Sequence, residues 1–155
     1  MIIQVDSREK SRAIKQILKE FEKQDIKYIS SKLYVGDYCD RNNPNLIIDR
    51  KQNIAEIAQN ATSGHDRVKR ELLRLDDLGK DAKMIFLIEQ DKINNVPIND
   101  LSDVVFWKSK YGTVNGLQIY RILSAWEAKH NVKFMFCNKA ETGKKIIEIL
   151  EKGGD

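Results

Sequence analysis

Cysteine and long apolar runs are scarce in this sequence, and each scarcity excludes a class of protein. The two cysteines, Cys39 and Cys137, lie far apart and form no CxxC or Cys/His pattern, which argues against a structural zinc site and a disulfide framework. No apolar run is long enough to span a bilayer, and no charged start precedes an apolar segment. We therefore expect a soluble protein of the reducing cytoplasm with no membrane partner.

Glycine-rich phosphate loops and repeats are also absent. Neither GxxxxGK[ST] nor GxGxxG occurs in the chain, which disfavours a nucleotide-binding enzyme. There is no internal repeat, no low-complexity tract and no Pro/Gly-rich linker. A chain of 155 residues can bury one sufficient core, so we expect a single domain over 1–152 and a short tail over 153–155.

The charge balance is modestly basic. Lysine and arginine total 27 against 23 acidic residues, which gives a formal net charge of +4 and a pI of about 9.0. This surplus favours a polyanionic partner. Because many cytosolic proteins are equally basic, charge alone leaves nucleic-acid binding undecided.

Apolar periodicity predicts strands that alternate with helices after an initial meander. The predicted strands are 1–5, 45–51, 84–89 and 132–137, with a loosely alternating stretch at 27–38 and a turn at 41–44. The predicted helices are one capped by Ser11, two between 54 and 75 that are separated at 62–64, one at 116–129, and a last one opened by an Asn138-x-x-Glu141 capping box. The segment 91–112 is irregular, with a short helix near 101–107. This order predicts an α/β three-layer sandwich with a central mixed sheet flanked by helices.

Acidic side chains cluster where the early strands end. Asp6 and Glu9 follow the first strand, Asp37 follows Gly36, and Asp49 precedes Lys51 by two residues within a strand. Residues two apart on a strand project from the same face, so Asp49 and Lys51 point together while Arg50 points away. Phosphodiester hydrolysis needs oxygen ligands for a divalent cation, an activated water and a nearby positive charge. The three clusters contain these groups.

Taken in order, these clusters resemble a known family. Val5-Asp6-Ser7-Arg8-Glu9, then Gly36-Asp37-Tyr38, then Asp49-Arg50-Lys51 are similar to motifs of the nuclease domain of the XPF family of structure-specific DNA endonucleases, within the restriction-endonuclease-like superfamily. Phe86-Leu87-Ile88-Glu89 extends the likeness to a later core strand. The helix, strand, helix order after Gly116 is also compatible, so the resemblance covers most of the chain.

The resemblance implies a metal-dependent endonuclease that cuts branched or flapped DNA and leaves a 3′-hydroxyl and a 5′-phosphate. It implies that Asp37 and Asp49 bind Mg²⁺ or Mn²⁺, and that Glu9 and Asp6 complete or support the metal site. Lys51 then orients or deprotonates the attacking water. Arg50 joins the catalytic group by organising the acidic cluster or contacting phosphate, and Arg8 has a similar role at the DNA.

Two positions depart from the family motif. Asp49 stands where the motif has Glu, which keeps the carboxylate but shortens its reach. Ala55 stands where the motif ends in Asp, and Glu56 beside it is turned by about 100° along a helix. The helix-hairpin-helix domain common in the family is not expected here, so its branch recognition and dimerisation do not carry over directly. A self-contained domain of this kind is typical of a prokaryotic or phage-encoded nuclease.

A basic stretch at a predicted helix start suggests how DNA binds. His65, Arg67, Lys69 and Arg70 follow Gly64, where backbone N–H groups and basic side chains can meet a phosphate backbone. The alternative is a solvated helix face whose charge is balanced by neighbouring acids.

Two other functions remain open. The first is a non-catalytic DNA-binding or scaffolding subunit with a degenerate nuclease fold, which Ala55 favours and the retained Asp37, Asp49 and Lys51 oppose. The second is a Holliday-junction resolvase or a restriction-type nuclease that uses the same chemistry with other specificity. DNA is the expected partner in each case, together with a second copy of the chain or a partner subunit that recognises DNA structure.

Overall fold

A six-stranded mixed sheet forms the centre of the protein, whose residues 1–155 are all described by a computed structural model. The strands are β1 (Ile2–Asp6), β2 (Lys27–Ser31), β3 (Tyr38–Asp40), β4 (Asn43–Lys51), β5 (Lys83–Ile88), β6 (Lys92–Ile93), β7 (Val96–Pro97) and β8 (Val132–Phe136). The helices are α1 (Lys15–Lys23), α2 (Ile54–Ala61), α3 (His65–Asp77), α4 (Gly116–Lys129) and α5 (Thr142–Glu151), with 3₁₀ turns at Leu101–Phe106 and Lys139–Glu141. None of these helices has the length and apolar character needed to cross a bilayer.

The sheet order is β2-β1-β3-β4-β5-β8, and β6 pairs with β7 in a separate small hairpin. β1 and β2 are parallel, as are β4, β5 and β8, whereas β3 runs antiparallel to both of its neighbours, β1 and β4. Because β3 is reversed, its start lies at the same sheet edge as the ends of β1 and β4. The topology thereby brings three separate segments of the chain to one edge.

Helices cover both faces of the sheet, which confirms the predicted three-layer α/β sandwich. One core packs α2, α3 and α4 against the sheet face that bears Ile47, Met84 and Phe86. The other core packs α1 and α5 against the face that bears Ile48 and Ile85. Adjacent residues of β4 therefore belong to opposite cores, as the alternation of side chains along a strand requires.

Two local predictions were wrong, and a third was right only in part. Ser11 does not cap the first helix, because turns occupy the residues after β1 and α1 begins at Lys15, preceded by Ile14 without a side-chain cap. The predicted turn at 41–44 is shorter, because β4 already includes Pro44. Pro44 is tolerated there since β4 pairs with β5 only from Leu46 onward, so no hydrogen bond to β5 is lost.

The predicted Asn138-x-x-Glu141 capping box of the last helix is also absent. The Asn138 side chain accepts a hydrogen bond from the backbone N–H of Ala140 and thereby begins a 3₁₀ turn, after which α5 starts at Thr142. The reciprocal capping box occurs instead between Asp100 and Asp103, at the start of the other 3₁₀ turn. The pattern alone does not distinguish an α-helix start from a 3₁₀ start.

Gly116 fixes the contact between α4 and the 3₁₀ turn at Leu101–Phe106. A Cβ atom at this position would overlap the carbonyl oxygens of Val104, Val105 and Trp107. We predict that Gly116→Ala lowers the free energy of unfolding by about 2–3 kcal/mol, since backbone atoms must move to admit the methyl group. Urea unfolding measures the change. Gln118→Ala, an exposed position in the same helix, serves as the control and should change stability by less than about 0.5 kcal/mol.

Gly36 allows the segment just before β3 to pass close to the side chain of Ile47. Its φ is +75°, and a Cβ atom would overlap the side chain of Ile47. We predict that Gly36→Ala costs about 3 kcal/mol from strain and overpacking together. Gly79→Ala is the matched control, because Gly79 also has positive φ, +111°, but a methyl group added there would meet no atom within 4 Å. Equal losses in urea unfolding for the two variants would contradict the role of the Ile47 contact.

Candidate active site

A polar cleft of about 600 Å³ opens at the sheet edge where β1, β3 and β4 meet, and it is walled on the other side by α2 and α3. Almost all of its lining is polar. The lining includes all the predicted site residues of the three strand-end clusters: Asp6, Arg8, Glu9, Asp37, Asp49, Arg50 and Lys51. The structure therefore brings together the three acidic clusters that are separated in the sequence.

Asp37 is held in place by backbone hydrogen bonds to both neighbouring strands. Its N–H donates to the carbonyl of Ile48 at 2.8 Å, and its carbonyl accepts from the N–H of Asp6 at 2.8 Å. Its carboxylate Oδ2 accepts a hydrogen bond from the backbone N–H of Arg50 at 2.8 Å. Burial, together with the charges of Asp49 and Glu9, raises the pKa of Asp37 well above its ordinary value. The surroundings of Asp37 thus favour its neutral form over its charged form.

Asp49 and Lys51 project from the same face of β4 into the cleft, as the alternation of strand residues predicts. Lys51 Nζ lies 3.4 Å from Asp49 Oδ1, and both side chains are largely buried. The ammonium also lies 5.9 Å from the centre of the Phe86 ring. Burial by itself lowers the pKa of Lys51, but the charges of Asp49, Glu71, Glu56 and Asp37 together outweigh this effect and raise it. The positive charge is therefore stabilised beside the carboxylates.

Arg50 points to the opposite side of β4 and is enclosed by two buried carboxylates. Its Nη2 donates to Glu9 Oε2 at 3.0 Å, and its Nη1 donates to Glu89 Oε1 at 2.6 Å. Glu89 Oε2 in turn accepts from the hydroxyl of Thr142 at 2.6 Å. Although burial opposes the charged form, the hydrogen bonds and charges of Glu9 and Glu89 raise the pKa of Arg50. This network joins the segment after β1 to β4, β5 and α5.

Both carboxylate oxygens of Asp6 accept hydrogen bonds from other groups of the protein. Its Oδ2 accepts from Arg8 Nε at 2.8 Å, and its Oδ1 accepts from the backbone N–H of Leu33 at 2.9 Å. Arg8 Nη2 also donates to the carbonyl of Leu33 at 2.9 Å. Asp6 therefore ties the end of β1 to the segment that leads to Gly36, at the rim of the cleft.

The residues predicted to contact DNA on α3 divide into two groups. Arg67 lines the cleft, whereas His65, Lys69 and Arg70 are exposed and lie outside its lining. Arg74 also lines the cleft, and its buried Nε has no hydrogen-bond partner. Helical spacing explains the division, because positions 67, 71 and 74 fall on one face of a helix.

Two further acidic residues line the cleft, and neither belongs to the predicted set of site residues. Glu71 on α3 lines the cleft with Asp49, and burial followed by the neighbouring Asp49 carboxylate raises the pKa of Glu71 to about 9. Glu56 on α2 lines the cleft as well, whereas Ala55 is exposed and does not. The spacing of Arg67, Glu71 and Arg74 on one helix face was the available signal for Glu71. The buried Glu89 was recognisable only as part of a core strand.

The carboxylate oxygens that line the cleft are the kind of ligand that hard divalent cations prefer. Asp37, Asp49 and Glu71 carry carboxylate oxygens that could serve as ligands, and their surroundings favour proton uptake at Asp37 and Glu71. As the side chains stand, however, no three acidic, histidine or cysteine residues lie close enough together to hold a metal ion. Side chains would have to rotate toward a shared ion.

Comparisons with known proteins identify the family and the fold. The family model of the ERCC4 domain matches residues 5–150. The fold is similar to "XPF from Aeropyrum pernix", with a TM-score of 0.68, 17% sequence identity, and coverage of 99% of this chain and 65% of that chain. A structure of "XPF from Aeropyrum pernix, complex with DNA" gives a TM-score of 0.67 at 17% identity and covers 97% of this chain and 63% of that one.

No curated protein sequence matches the chain. The chain spans less than two thirds of the length of the solved structures that it resembles. Because the ERCC4 model covers nearly all of the sequence, and because the motifs after β1, before β3 and at the end of β4 meet at one cleft, the chain belongs to the ERCC4 domain family.

Proposed function

We propose that this protein is a metal-dependent DNA endonuclease that hydrolyses phosphodiester bonds in branched, flapped or junction DNA. One observation carries the proposal. Asp37, just before β3, and Asp49, on β4, line one cleft together with Lys51, whose ammonium lies 3.4 Å from Asp49. Membership of the ERCC4 domain family and the likeness to XPF support it.

The proposed cofactor is Mg²⁺ or Mn²⁺, and Asp37 and Asp49 would hold it. When bound, such an ion neutralises the phosphate and makes a water molecule more nucleophilic. Glu9 supports the site from the segment after β1, although its carboxylate is engaged with Arg50. Asp6 supports it indirectly by anchoring Leu33 and Arg8.

Each remaining residue has a role that follows from its position. Of the two roles predicted for Lys51, its raised pKa favours orienting the attacking water over deprotonating it, and the ammonium places a positive charge near the reacting phosphate. Arg50 is a positioning residue, because its side chain is bound to Glu9 and Glu89 while its backbone N–H holds the Asp37 carboxylate. Lys51 thus has a chemical role, whereas Arg50, its neighbour on β4, has a structural role.

DNA is the proposed substrate and partner. Arg67 and Arg8 lie at the cleft, where they can contact the phosphate next to the scissile bond. His65, Lys69 and Arg70 are exposed on α3 and extend this basic surface along the DNA backbone. A second copy of the chain or a partner subunit would supply recognition of the DNA structure. The solved complex of the similar XPF with DNA supports this choice of partner.

A non-catalytic DNA-binding or scaffolding subunit is the second candidate function. It is favoured by Ala55, which places no carboxylate at that motif position, and by the lack of three acidic side chains already arranged around one point. A Holliday-junction resolvase or a restriction-type nuclease would use the same cleft with other substrates. Both alternatives are separable by measuring cleavage over a set of DNA structures.

We predict metal-dependent cutting that requires Asp37 and Lys51. The substrates are labelled linear duplex, single strand, flap, fork and four-way junction, each with Mg²⁺, Mn²⁺ or EDTA. Asp37→Asn and Lys51→Ala should each lower the cleavage rate by at least about a hundred-fold, since each removes a group that acts on the reacting atoms. Asp81→Asn, at an exposed position away from the cleft, is the matched control and should cut like the wild type.

The pattern of cutting ranks the alternatives. Preference for flaps and forks supports the proposed activity, whereas preference for four-way junctions supports a resolvase and for linear duplex a restriction-type enzyme. Binding of these DNAs by the wild type without cutting under any metal condition would contradict the enzyme and support the binding subunit.

We predict that Arg50→Ala damages the fold as well as the activity. The change leaves Glu9 and Glu89 buried without their shared partner, so the free energy of unfolding should fall by about 3–5 kcal/mol. Lys152→Ala removes an exposed ion pair with Glu148 and should cost less than about 1 kcal/mol. Urea unfolding of both variants checks the comparison. An Arg50→Ala protein as stable as Lys152→Ala would show that the buried network is not needed for stability.

A further inference from the structure

Four arginines line the cleft, two at the sheet edge and two on α3: Arg8, Arg50, Arg67 and Arg74. The two at the sheet edge are already bound, since Arg8 donates to Asp6 and Arg50 is shared between two buried carboxylates. None of the ion pairs in the structure includes either arginine of α3. The α3 arginines are therefore the ones whose donors are open to a ligand.

Arg74 differs from Arg67 in its burial. Arg67 is exposed, so water can hydrate its guanidinium, whereas Arg74 is half-buried in the last turn of α3 and its Nε is closed off from solvent. This Nε has no hydrogen-bond partner in the protein. Buried polar groups of folded proteins are nearly always paired, and a charged donor is the costliest kind to leave unpaired. The Nε of Arg74 therefore marks a position that an acceptor from a ligand would complete.

The acceptor that fits Arg74 is an anion with at least two oxygens. A guanidinium presents its N–H donors in a planar fork, which matches the oxygens of a phosphate or a carboxylate. Acidic side chains also line the cleft, yet none of them forms an ion pair with Arg74, so the protein does not supply this anion. A phosphodiester group of DNA does supply it, and the proposed reaction requires such a group to enter this cleft.

We propose that Arg74 is a substrate-binding residue, whose guanidinium binds a backbone phosphate of DNA inside the cleft through Nε and a terminal nitrogen. The inference rests on the proposed function, because it assigns a contact with the DNA that this cleft would bind. The exposed Arg67 lies two turns earlier on the same face of α3. The helix would then hold the DNA backbone both at the mouth of the cleft and inside it.

A purely structural role for Arg74 has different requirements. A positive charge in the last turn of a helix interacts favourably with the helix dipole, and in this cleft it also offsets part of the acidic charge. Lysine would meet both requirements. A paired contact with phosphate needs the planar fork, which lysine lacks. Comparison of Arg74→Ala with Arg74→Lys therefore separates the two roles.

The test measures DNA binding by the full-length protein in EDTA, so that no cutting is needed. The DNA is the member of the substrate set that the wild type binds most tightly, with single phosphates replaced in turn by neutral methylphosphonates. We expect Arg74→Ala to weaken binding about ten-fold and to reduce the salt dependence of log affinity by a slope of about one. Arg74→Lys should keep the salt dependence and recover only part of the affinity.

The methylphosphonates identify the contact itself. At one position the replacement should weaken binding by the wild type but have little further effect on Arg74→Ala, because the same contact is already lost. If every replacement weakens the wild type and Arg74→Ala alike, or if Arg74→Lys binds DNA as tightly as the wild type, the inference is overturned. Thermal unfolding without DNA checks that the variants fold. Should Arg74→Ala fail to fold, the same series on Arg74→Lys decides, because that variant keeps the charge and lacks the fork.

Arg121→Ala is the matched control. Arg121 is an exposed arginine on α4 and lies outside the cleft lining, so its loss should leave the affinity and the methylphosphonate pattern unchanged. Equal losses of affinity in Arg74→Ala and Arg121→Ala would show a general charge effect and would also overturn the inference.

The outcomes separate this inference from the proposed function. If the wild type cuts DNA but no methylphosphonate is coupled to Arg74, the role of Arg74 fails and the nuclease stands. If the coupling is found and the wild type cuts under no metal condition, the phosphate contact stands and the nuclease fails. If the wild type binds none of the DNAs, both fail.

Discussion

The cleft depends on the buried contact between Arg50 and the two carboxylates of Glu9 and Glu89. Each of these three side chains is at most 9% exposed, so the charges are largely removed from water and only their mutual pairing offsets the loss of hydration. The pairing fixes the end of β4 against the segment after β1 and the end of β5. Because the Arg50 N–H also holds the Asp37 carboxylate at 2.8 Å, the position of the acidic cluster follows from this contact.

The alternation of side chains along β4 places Arg50 on one face of the strand and the proposed reactive residues, Asp49 and Lys51, on the other. Arg50 points toward the α1 and α5 side, where its charge is fully paired, while Asp49 and Lys51 point into the open cleft. A shift of one residue in the register of β4 would exchange the two faces and bury the reactive groups among Glu9 and Glu89. The close approach of Gly36 to Ile47 opposes such a shift, because that contact fits only one register.

The sequence allowed the layers of the fold and the main acidic cluster to be predicted, since both follow from local periodicity and from ordered motifs. The shared face of Asp49 and Lys51 needed only the two-residue period of a strand. The spacing of Arg67, Glu71 and Arg74 groups them on one face of α3, but no local pattern specifies that this face packs toward the cleft. The 100° step along an ideal helix makes Glu56 a doubtful substitute for the motif carboxylate, yet Glu56 lines the cleft and Ala55 does not. The start of α1 and the 3₁₀ turn at Lys139–Glu141 escaped prediction because cap residues occur in several kinds of turn.

The crowding of buried acidic groups in the cleft opposes the stability of the fold. Burial raises the pKa of Asp37 and of Glu71, and the charge of Asp49 raises both further. Folding must therefore bring these carboxyl groups together against their repulsion or with protons bound, and Lys51 offsets only part of the charge. The divalent cation proposed for this site would offset part of that repulsion. The arrangement costs free energy in the metal-free fold, and the buried Arg50 network, on the other side of β4, keeps the strand ends in place despite that cost.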